Sequence, residues 1–546
     1  MRKSHYKTVY PLLIFCFSFL LYSHSIHFKY TMFDDDGLLL NNKEFFIKDG
    51  SIKTIFTTDA FLRNTGTFYR PIQNVSFLID VKIAGEMDIR MFHFTNILLF
   101  ALISFFLYFL LLKFRFSHFI AFWGALLFAA HPLFTSSAAW IPARGDLLLT
   151  LFSILTFIFW IQFLNNKKYT ALIASWVGFT LALFTKETAA LLPVLFLCYF
   201  LIFESKPKID SKMILFGGLI LCTGIVWFIL RSSSIQTYDS DLTANLFLRN
   251  LLAVPAALSM FVVPYDFSTA PGFTLTKIVF GLALLLILIV MTIVKSSHSR
   301  RKKTFYLLWF ILLLFPTFFA RTKEWDYLDH RFLLPLIGVL MFLLSFIQNI
   351  GKIKIAVLSS VLIIVFSTVS IFKSRAFSNP HAFCEALKHN KNNPEAYHFL
   401  KGNLEQISEK YEKALKEYDI AIAYNPNHIR SFNNRAIVKQ QLGDLKGALA
   451  DYNRAIDLGV KNYHIFKNRG DVRLQLEDFA GAIDDYSAAL QYEQNAPAHF
   501  NRAVAKFVSL DYAGALEDCD MLLAIDPQYP NAQALKTEIQ KQHTTH

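Results

Sequence analysis

The hydrophobic pattern divides the chain into two unlike parts. Between residues 9 and 372, apolar stretches of the length that a helix needs to cross a bilayer, about 17 to 20 residues, recur eleven times. After residue 372, charged and amide residues dominate. The pattern therefore predicts an all-α protein with a polytopic membrane domain at 1–372 and a soluble C-terminal part. The predicted spans are 9–26, 92–113, 117–134, 146–164, 169–185, 188–204, 213–230, 276–294, 304–320, 332–350 and 353–372.

Basic residues in short loops predict the orientation of these spans. With the N-terminus inside, each short inner loop is basic, as the positive-inside rule requires, and these loops include Lys113 and Arg115, Lys167 and Lys168, and Lys352 and Lys354. An odd number of spans then places the C-terminus outside, and residues 27–91 form the first outer loop. A cleaved signal peptide is an alternative for the first segment, but the ten spans that follow favour a retained helix.

The apolar stretch 245–264 does not fit as a further span. It contains Arg249, Pro255 and Pro264, and counting it would move the basic cluster at 300–303 to the outside. We interpret it as re-entrant, or as lying in the outer interface.

The polar part contains an internal repeat. Small residues recur at Gly402, Ala436, Gly470 and Ala503, with spacings of 34, 34 and 33, which is the period of paired-helix tetratricopeptide (TPR) repeats. We predict a linker at 373–392, four TPR repeats at 393–528, and a capping helix and tail at 529–546.

Three repeats share an asparagine followed by an arginine in their first helix. Asn434, Asn468 and Asn501 are predicted to line the concave face and to bind an extended peptide or a glycan acceptor. The alternative is that they are solvated residues that only stabilise turns.

Charge and cysteine content exclude some function classes. The net charge of +13 comes from short basic loops between apolar runs, which indicates membrane topology and not a nucleic-acid partner. The five cysteines have no spacing typical of a metal site or a disulfide framework.

Carboxylates in the first outer loop are the strongest candidates for chemistry. A carboxylate of Asp34-Asp35-Asp36 could act as a general base toward a hydroxyl, or the cluster could bind a divalent cation. A solvated loop with an Asp-Gly turn at Asp36-Gly37 is the alternative.

Short motifs across the membrane part resemble those of the transmembrane and TPR-containing O-mannosyltransferases, which belong to the C-type glycosyltransferase (GT-C) superfamily. The motifs are Phe33-Asp34-Asp35, Tyr69-Arg70-Pro71-Ile72, His131-Pro132, Ala139-Trp140-Ile141-Pro142-Ala143-Arg144-Gly145-Asp146-Leu147-Leu148, Thr185-Lys186-Glu187 and Arg331-Phe332-Leu333-Leu334-Pro335. The resemblance covers essentially the whole chain, because family members also carry TPR repeats after the last span. It implies a GT-C-like membrane domain that takes a sugar from a polyprenyl-phosphate carrier outside the cytoplasm.

The resemblance also implies roles for individual residues. Either Asp34 or Asp35 is expected to be the catalytic acidic residue. The cations expected to bind the donor phosphate are Arg70, Arg144, Lys186 and Arg331. The expected supporting residues are Asp146, Glu187 and His131. Arg144 and Lys186 have an alternative role, in which they anchor helix ends or pair with Asp146 and Glu187. Where family members often have an acidic residue before the matched arginine, this chain has His330.

The leading hypothesis is an inverting glycosyltransferase that moves a mannose-like sugar to a hydroxyl of an exported protein or glycan held by the repeats, with no other certain cofactor. An oligosaccharyltransferase or polymer ligase that uses a lipid pyrophosphate is the second hypothesis, and a non-enzymatic TPR scaffold is the third. We expect a multi-pass protein of the bacterial cell membrane, not of the endoplasmic reticulum, with its repeats on the extracytoplasmic side.

Overall fold

The computed structural model describes residues 6–62, 68–204, 207–235, 244–264, 274–293, 297–319, 329–348, 350–388 and 394–545. Every regular element in these ranges is a helix, which confirms the predicted all-α class. The chain divides into two compact units, residues 1–392 and 393–546.

Eighteen α-helices build the described part of the first unit. They are α1 (Tyr6–Tyr22), α2 (Asp35–Leu38), α3 (Ile52–Thr57), α4 (Pro71–Ala84), α5 (Ile89–Lys113), α6 (His118–Ala130), α7 (Thr135–Ala139), α8 (Arg144–Asn166), α9 (Tyr169–Thr185), α10 (Leu192–Phe203), α11 (Ser211–Ser234), α12 (Ala244–Leu251), α13 (Ala253–Val262), α14 (Leu275–Ile293), α15 (Ser297–Leu314), α16 (Leu336–Ile347), α17 (Lys352–Ser374) and α18 (Pro380–Leu387).

Among the described residues, six helices are long and apolar enough to cross a bilayer, so the predicted count of eleven is not confirmed. The six are Lys7–His27, Ile89–Lys113, Ile141–Asn166, Ser211–Ser234, Leu275–Ile293 and Lys352–Phe377. A seventh would be the pair His118–Ala130 and Pro132–Ala139, which bends by 53°. The remaining apolar helices include α9, α10, α13 and α16, which are too short to meet the same length requirement.

Apolar side chains and close backbone contacts hold the membrane helices together. A core of aromatic and aliphatic residues runs through α1, α5, α6, α8, α10, α15 and α16. Gly338 lets α16 approach α15 closely, because a Cβ at this position would lie 2.4 Å from the carbonyl oxygen of Tyr306. Gly281 plays the same part between α14 and α13, where a Cβ would lie 1.8 Å from the carbonyl oxygen of Pro255.

The described residues of segment 27–91, the predicted first outer loop, are mainly helical and pack around an apolar core of their own. Helix α3 of this loop begins after Ser51, whose hydroxyl accepts a hydrogen bond from the Thr54 N–H, and ends at Thr57. Helix α4 was not anticipated, and it begins at Pro71, whose fixed φ suits the first helical position. Phe77 and Leu78 of α4 pack with Ile55 of α3 in the loop core.

The stretch 245–264 forms two short helices, α12 and α13. Most side chains of α13 are buried in the protein core. Neither helix is long enough to cross a bilayer, so a re-entrant or interfacial position remains the prediction for this stretch.

The second unit consists of four helix pairs and a final helix. The pairs are α19 (Pro394–Ile407) with α20 (Tyr411–Tyr424), α21 (Ile429–Gln441) with α22 (Leu445–Asp457), α23 (Tyr463–Gln475) with α24 (Phe479–Tyr492), and α25 (Ala496–Val508) with α26 (Tyr512–Ile525). Helix α27 (Ala532–Thr545) follows. The small residues of the repeat lie at contacts between the paired helices, where a Cβ at Gly470 would meet the Tyr486 ring at 2.9 Å.

A charged pair joins the two helices of each repeat. The two partners lie sixteen residues apart in every case, and the distances are 2.5 to 2.7 Å. The pairs are Lys401–Glu417, Arg435–Asp451, Arg469–Asp485 and Arg502–Asp518. The arginine of each asparagine–arginine dipeptide therefore closes its own repeat.

Candidate active site

A cavity of about 80 Å³ lies where the first outer loop meets the ends of several helices of the first unit. Its walls combine charged and aromatic side chains from segments far apart in sequence. The lining residues are Asp34, Leu38, Ala60, Phe61, Phe68, Arg70, Trp140, Pro142, Lys186, His330 and Arg331. Four residues singled out from the sequence, Asp34, Arg70, Lys186 and Arg331, thus share one site.

The two neighbouring aspartates have different environments. Asp34 is half-buried and lines the cavity. Asp35 is only 1% exposed, and its Oδ2 accepts hydrogen bonds from the backbone N–H and the hydroxyl of Thr31, both at 2.5 Å. Burial raises the pKa of Asp35 to about 7. The two carboxylates therefore cannot serve the same purpose, because only Asp34 faces the cavity.

The cavity has more cations than its carboxylates neutralise by direct contact. Lys186 Nζ lies 2.7 Å and 2.9 Å from the two oxygens of Asp146. Within the described ranges, Arg70 and Arg331 have no carboxylate within 4.0 Å, and the buried Nε of Arg70 has no hydrogen-bond partner. Its guanidinium lies 4.6 Å from the Phe68 ring centre. Such a pair of guanidinium groups favours an anionic ligand.

His330, the residue that departs from the family pattern, also lines the cavity. Its Nε2 lies 3.7 Å from an oxygen of Asp146. Burial lowers the pKa of His330 to about 3, so the imidazole is neutral near pH 7. A neutral ring at this position adds a hydrogen-bonding group without adding charge.

Trp140 connects the cavity wall to the buried aspartate. Its indole N–H donates to the Thr31 hydroxyl at 3.1 Å, and the same hydroxyl donates to Asp35. Its ring centre lies 5.3 Å from that of His330. Asp35 therefore acts on the cavity through Thr31 and Trp140. Trp140 belongs to one of the sequence motifs, but the sequence predicted no role for it.

Arg144 lies outside the cavity wall. Its side chain is fully buried, pairs with Asp80, and donates to Asn96 Oδ1 at 2.7 Å and to the Phe92 carbonyl at 2.6 Å. Its guanidinium lies 4.5 Å from the Phe77 ring centre. These contacts join the start of α8 to α4 and α5. Asp80 was missed, although a lone acid in the apolar run 75–84 was a usable signal.

The remaining residues expected to support the site have separate positions. The His131 ring bridges two backbone groups: Nδ1 accepts from the Leu133 N–H at 3.2 Å, and Nε2 donates to the Phe261 carbonyl at 2.8 Å. It thereby fixes the bend between α6 and α7 against α13. Asp146 binds Lys186, and the half-buried Glu187 begins the short helix directly after that lysine.

The repeat asparagines are half-buried and hydrogen-bonded within the second unit. Asn434 Nδ2 donates to Asn403 Oδ1, and Asn501 Nδ2 donates to Asp471 Oδ1, both at 2.9 Å. Asn468 lies beside the Tyr452 hydroxyl. Each of these amides therefore contacts a polar side chain of the preceding repeat. Across both units, the described residues contain no group of three or more histidine, cysteine or acidic side chains arranged to hold a metal ion.

Two family profiles match the chain. Residues 77–229 match the family described as dolichyl-phosphate-mannose-protein mannosyltransferase, and residues 399–462 and 467–530 match the tetratricopeptide repeat. The resemblance expected from the motifs is thereby confirmed. The matches support a membrane glycosyltransferase of the mannosyltransferase type that carries TPR repeats.

Several solved structures are similar to part of the chain, at low sequence identity. MamA from Desulfovibrio magneticus is 14% identical, with a TM-score of 0.24, and the match covers 28% of this chain and 96% of MamA. The Arabidopsis OM64 TPR domain is 23% identical, with a TM-score of 0.20, and the match covers 21% of this chain and 94% of that domain. No curated protein sequence matches the chain significantly.

Proposed function

We propose that this chain transfers a mannose-like sugar from a polyprenyl-phosphate carrier to a hydroxyl of an exported protein or glycan. One observation carries the proposal: the Asp34 carboxylate shares a cavity with the guanidinium groups of Arg70 and Arg331, neither of which has a carboxylate in contact among the described residues. A base and an anion site are the two parts that such a transfer needs.

The reaction is a single displacement. The Asp34 carboxylate takes the proton of the acceptor hydroxyl while that oxygen attacks the anomeric carbon. The new glycosidic bond forms as the bond from the anomeric carbon to the phosphate oxygen breaks. The carrier phosphate leaves with the electron pair, and the attack from the opposite face inverts the configuration.

Asp34 is the better candidate for the base. Its carboxylate faces the cavity, whereas Asp35 is buried and held by two hydrogen bonds from Thr31. A base must reach the proton that it removes. We therefore assign Asp35 a supporting role in holding Thr31 and, through it, Trp140.

Arg70 and Arg331 are the proposed phosphate ligands. A guanidinium binds phosphate oxygens in a bidentate manner, and a site partly shielded from water strengthens that attraction. Lys186 adds charge but shares it with Asp146. Arg144 is assigned no phosphate contact, because its donors are used by Asp80, Asn96 and the Phe92 carbonyl.

We propose that the repeats bind the acceptor on the extracytoplasmic side, where the carrier headgroup also lies. The inner loops at 113–115, 167–168 and 352–354 carry the basic residues, which supports this orientation. The half-buried amides of Asn434, Asn468 and Asn501 offer hydrogen-bonding groups to an extended acceptor chain. A bacterial cell membrane is the proposed location.

A donor assay with the purified full chain in liposomes tests the proposal. We expect transfer of labelled mannose from a polyprenyl monophosphate carrier to a hydroxyl-bearing acceptor peptide, and no transfer by Asp34→Asn. Transfer of an oligosaccharide from a pyrophosphate carrier alone would instead indicate an oligosaccharyltransferase or ligase. If neither donor is consumed, the result favours the hypothesis of a non-enzymatic TPR scaffold.

A further inference from the structure

The segment that follows the last long apolar helix is folded against the membrane unit. After α17, a 3₁₀ helix covers Arg375–Phe377 and α18 covers Pro380–Leu387. The sequence predicted a linker at 373–392, and the boundary between the two compact units falls at the end of that range, at 392/393. Most of this segment therefore belongs to the first unit, and its contacts show what it does there.

A buried ion pair joins this segment to the cavity wall. Lys373 Nζ lies 2.5 Å from Asp329 Oδ2, and the two side chains are only 2% and 1% exposed. Asp329 begins the short 3₁₀ helix Asp329–Phe332, whose next two residues, His330 and Arg331, line the cavity. So short a helix has few backbone hydrogen bonds of its own. The ion pair is therefore a principal support for the position of the Arg331 guanidinium.

Aromatic contacts extend the same support to the opposite wall. The Phe383 ring centre lies 5.5 Å from that of Phe33 and 6.1 Å from that of Trp140, and Phe377 lies 6.2 Å from Trp140. Phe33 directly precedes Asp34, and Trp140 lines the cavity. The backbone N–H of Lys29 also donates to the Ser378 carbonyl at 2.8 Å. The segment thus contacts neighbours of both the proposed base and the proposed phosphate ligand.

We propose that residues 373–387 form a second layer behind the cavity wall and that Lys373 is a positioning residue for Arg331. This inference rests on the proposed function, because phosphate binding in the cavity is its readout. Lys373 touches no substrate. It acts through Asp329, whose buried charge it neutralises, and so it keeps the adjacent guanidinium aimed into the cavity.

Farnesyl phosphate is the probe, and the full chain in lipid nanodiscs is the sample. Lys373→Met removes the charge and keeps most of the apolar stem. We expect it to weaken farnesyl phosphate binding by about 10- to 100-fold, as displacement of a positioned ligand group by about 1 Å does. Lys373→Arg keeps the charge beside Asp329 and is expected to restore most of the affinity.

Lys388→Met is the matched control. This lysine directly follows the segment, but its pair with Glu385 is long, at 4.0 Å, and both side chains are largely exposed, at 59% and 64%. Such a pair contributes little, so we expect the control to bind farnesyl phosphate within about twofold of the unmodified chain. A melting temperature measured for each variant separates loss of binding from loss of fold.

The outcomes are distinct. Weak binding by Lys373→Met at an unchanged melting temperature, with recovery in Lys373→Arg, supports the inference. If Lys373→Met binds as tightly as Lys388→Met, the inference fails while the proposed function stands. If the unmodified chain does not bind farnesyl phosphate, both fail. Should Lys373→Met not fold, the double variant Asp329→Asn/Lys373→Met removes the Asp329 charge together with the tether, and unmodified affinity in that variant overturns the inference.

Discussion

Replacement of Asp34 by asparagine tests the assignment of the base most directly. The change keeps the size of the side chain and leaves Arg70, Lys186 and Arg331 in the cavity, so the donor should still bind. Loss of a positioned general base costs about 10²- to 10⁴-fold in rate, which is about 3 to 5 kcal/mol in the activation barrier. We therefore expect kcat to fall by that factor while KM for the donor changes little.

Asp35→Asn is the matched control, because it makes the same chemical change one residue away. The amide oxygen can still accept both hydrogen bonds from Thr31, so kcat should stay within about threefold of the unmodified chain at pH 7. The assay is transfer of labelled sugar by purified variants in liposomes, under single-turnover conditions so that chemistry is observed. Full transfer by Asp34→Asn, or an equal loss in both variants, would refute the assignment.

Three further predictions concern stability and binding. Burial raises the pKa of Asp35 from 3.8 to about 7, so the folded state binds more protons than the unfolded state between these pH values. The free energy of unfolding should therefore fall by roughly 4 kcal/mol as pH rises through this window, at about 1.4 kcal/mol per pH unit. Asp35→Asn should then melt at a higher temperature than the unmodified chain at pH 8, and an equal pH dependence in both would contradict this. Arg331→Met should raise KM for the donor about tenfold or more, whereas Arg90→Met, which removes an exposed cation, should leave it unchanged; titration of the donor distinguishes the two results. Arg144→Met should destabilise the membrane unit by about 3 to 5 kcal/mol by leaving the Asp80 charge buried without its partner, and thermal unfolding should show part of that loss recovered when Asp80→Asn is added.

The sequence predicted the composition of the site better than its geometry. Asp34, Arg70, Lys186 and Arg331 could be grouped because each belongs to a motif on the same predicted side of the membrane, and the structure brings all four to one cavity. Arg144 met the same criteria, since it belongs to such a motif on the same predicted side. Its direction depends on the short 3₁₀ turn Ile141–Ala143 before α8, and a hydrophobic pattern does not specify how such a turn rotates the next side chain.

The hydrophobic pattern also gave no indication of ion pairs between residues far apart in sequence. Lys373 and Asp329 are 44 residues apart, and Arg144 and Asp80 are 64 apart. Nothing local marks either pairing, because each depends on which helices become neighbours. The packing of Phe383 against Trp140 has the same cause, and the polar composition of 373–392, which predicts a linker, gives no sign of it.

The charged pairs of the repeat unit have a consequence for how this protein can change in length. Each of these four pairs begins and ends within one repeat, so deletion or duplication of a complete repeat would remove or add such a pair as a whole. The additional contact of Arg435 with Asp419, at 2.6 Å, instead joins neighbouring repeats. A deletion that ends between the two partners of a pair would instead leave one of the two charges without its partner. The number of repeats is therefore expected to change by whole repeats, with the stability of the array set by the contacts between neighbours as well as within each repeat.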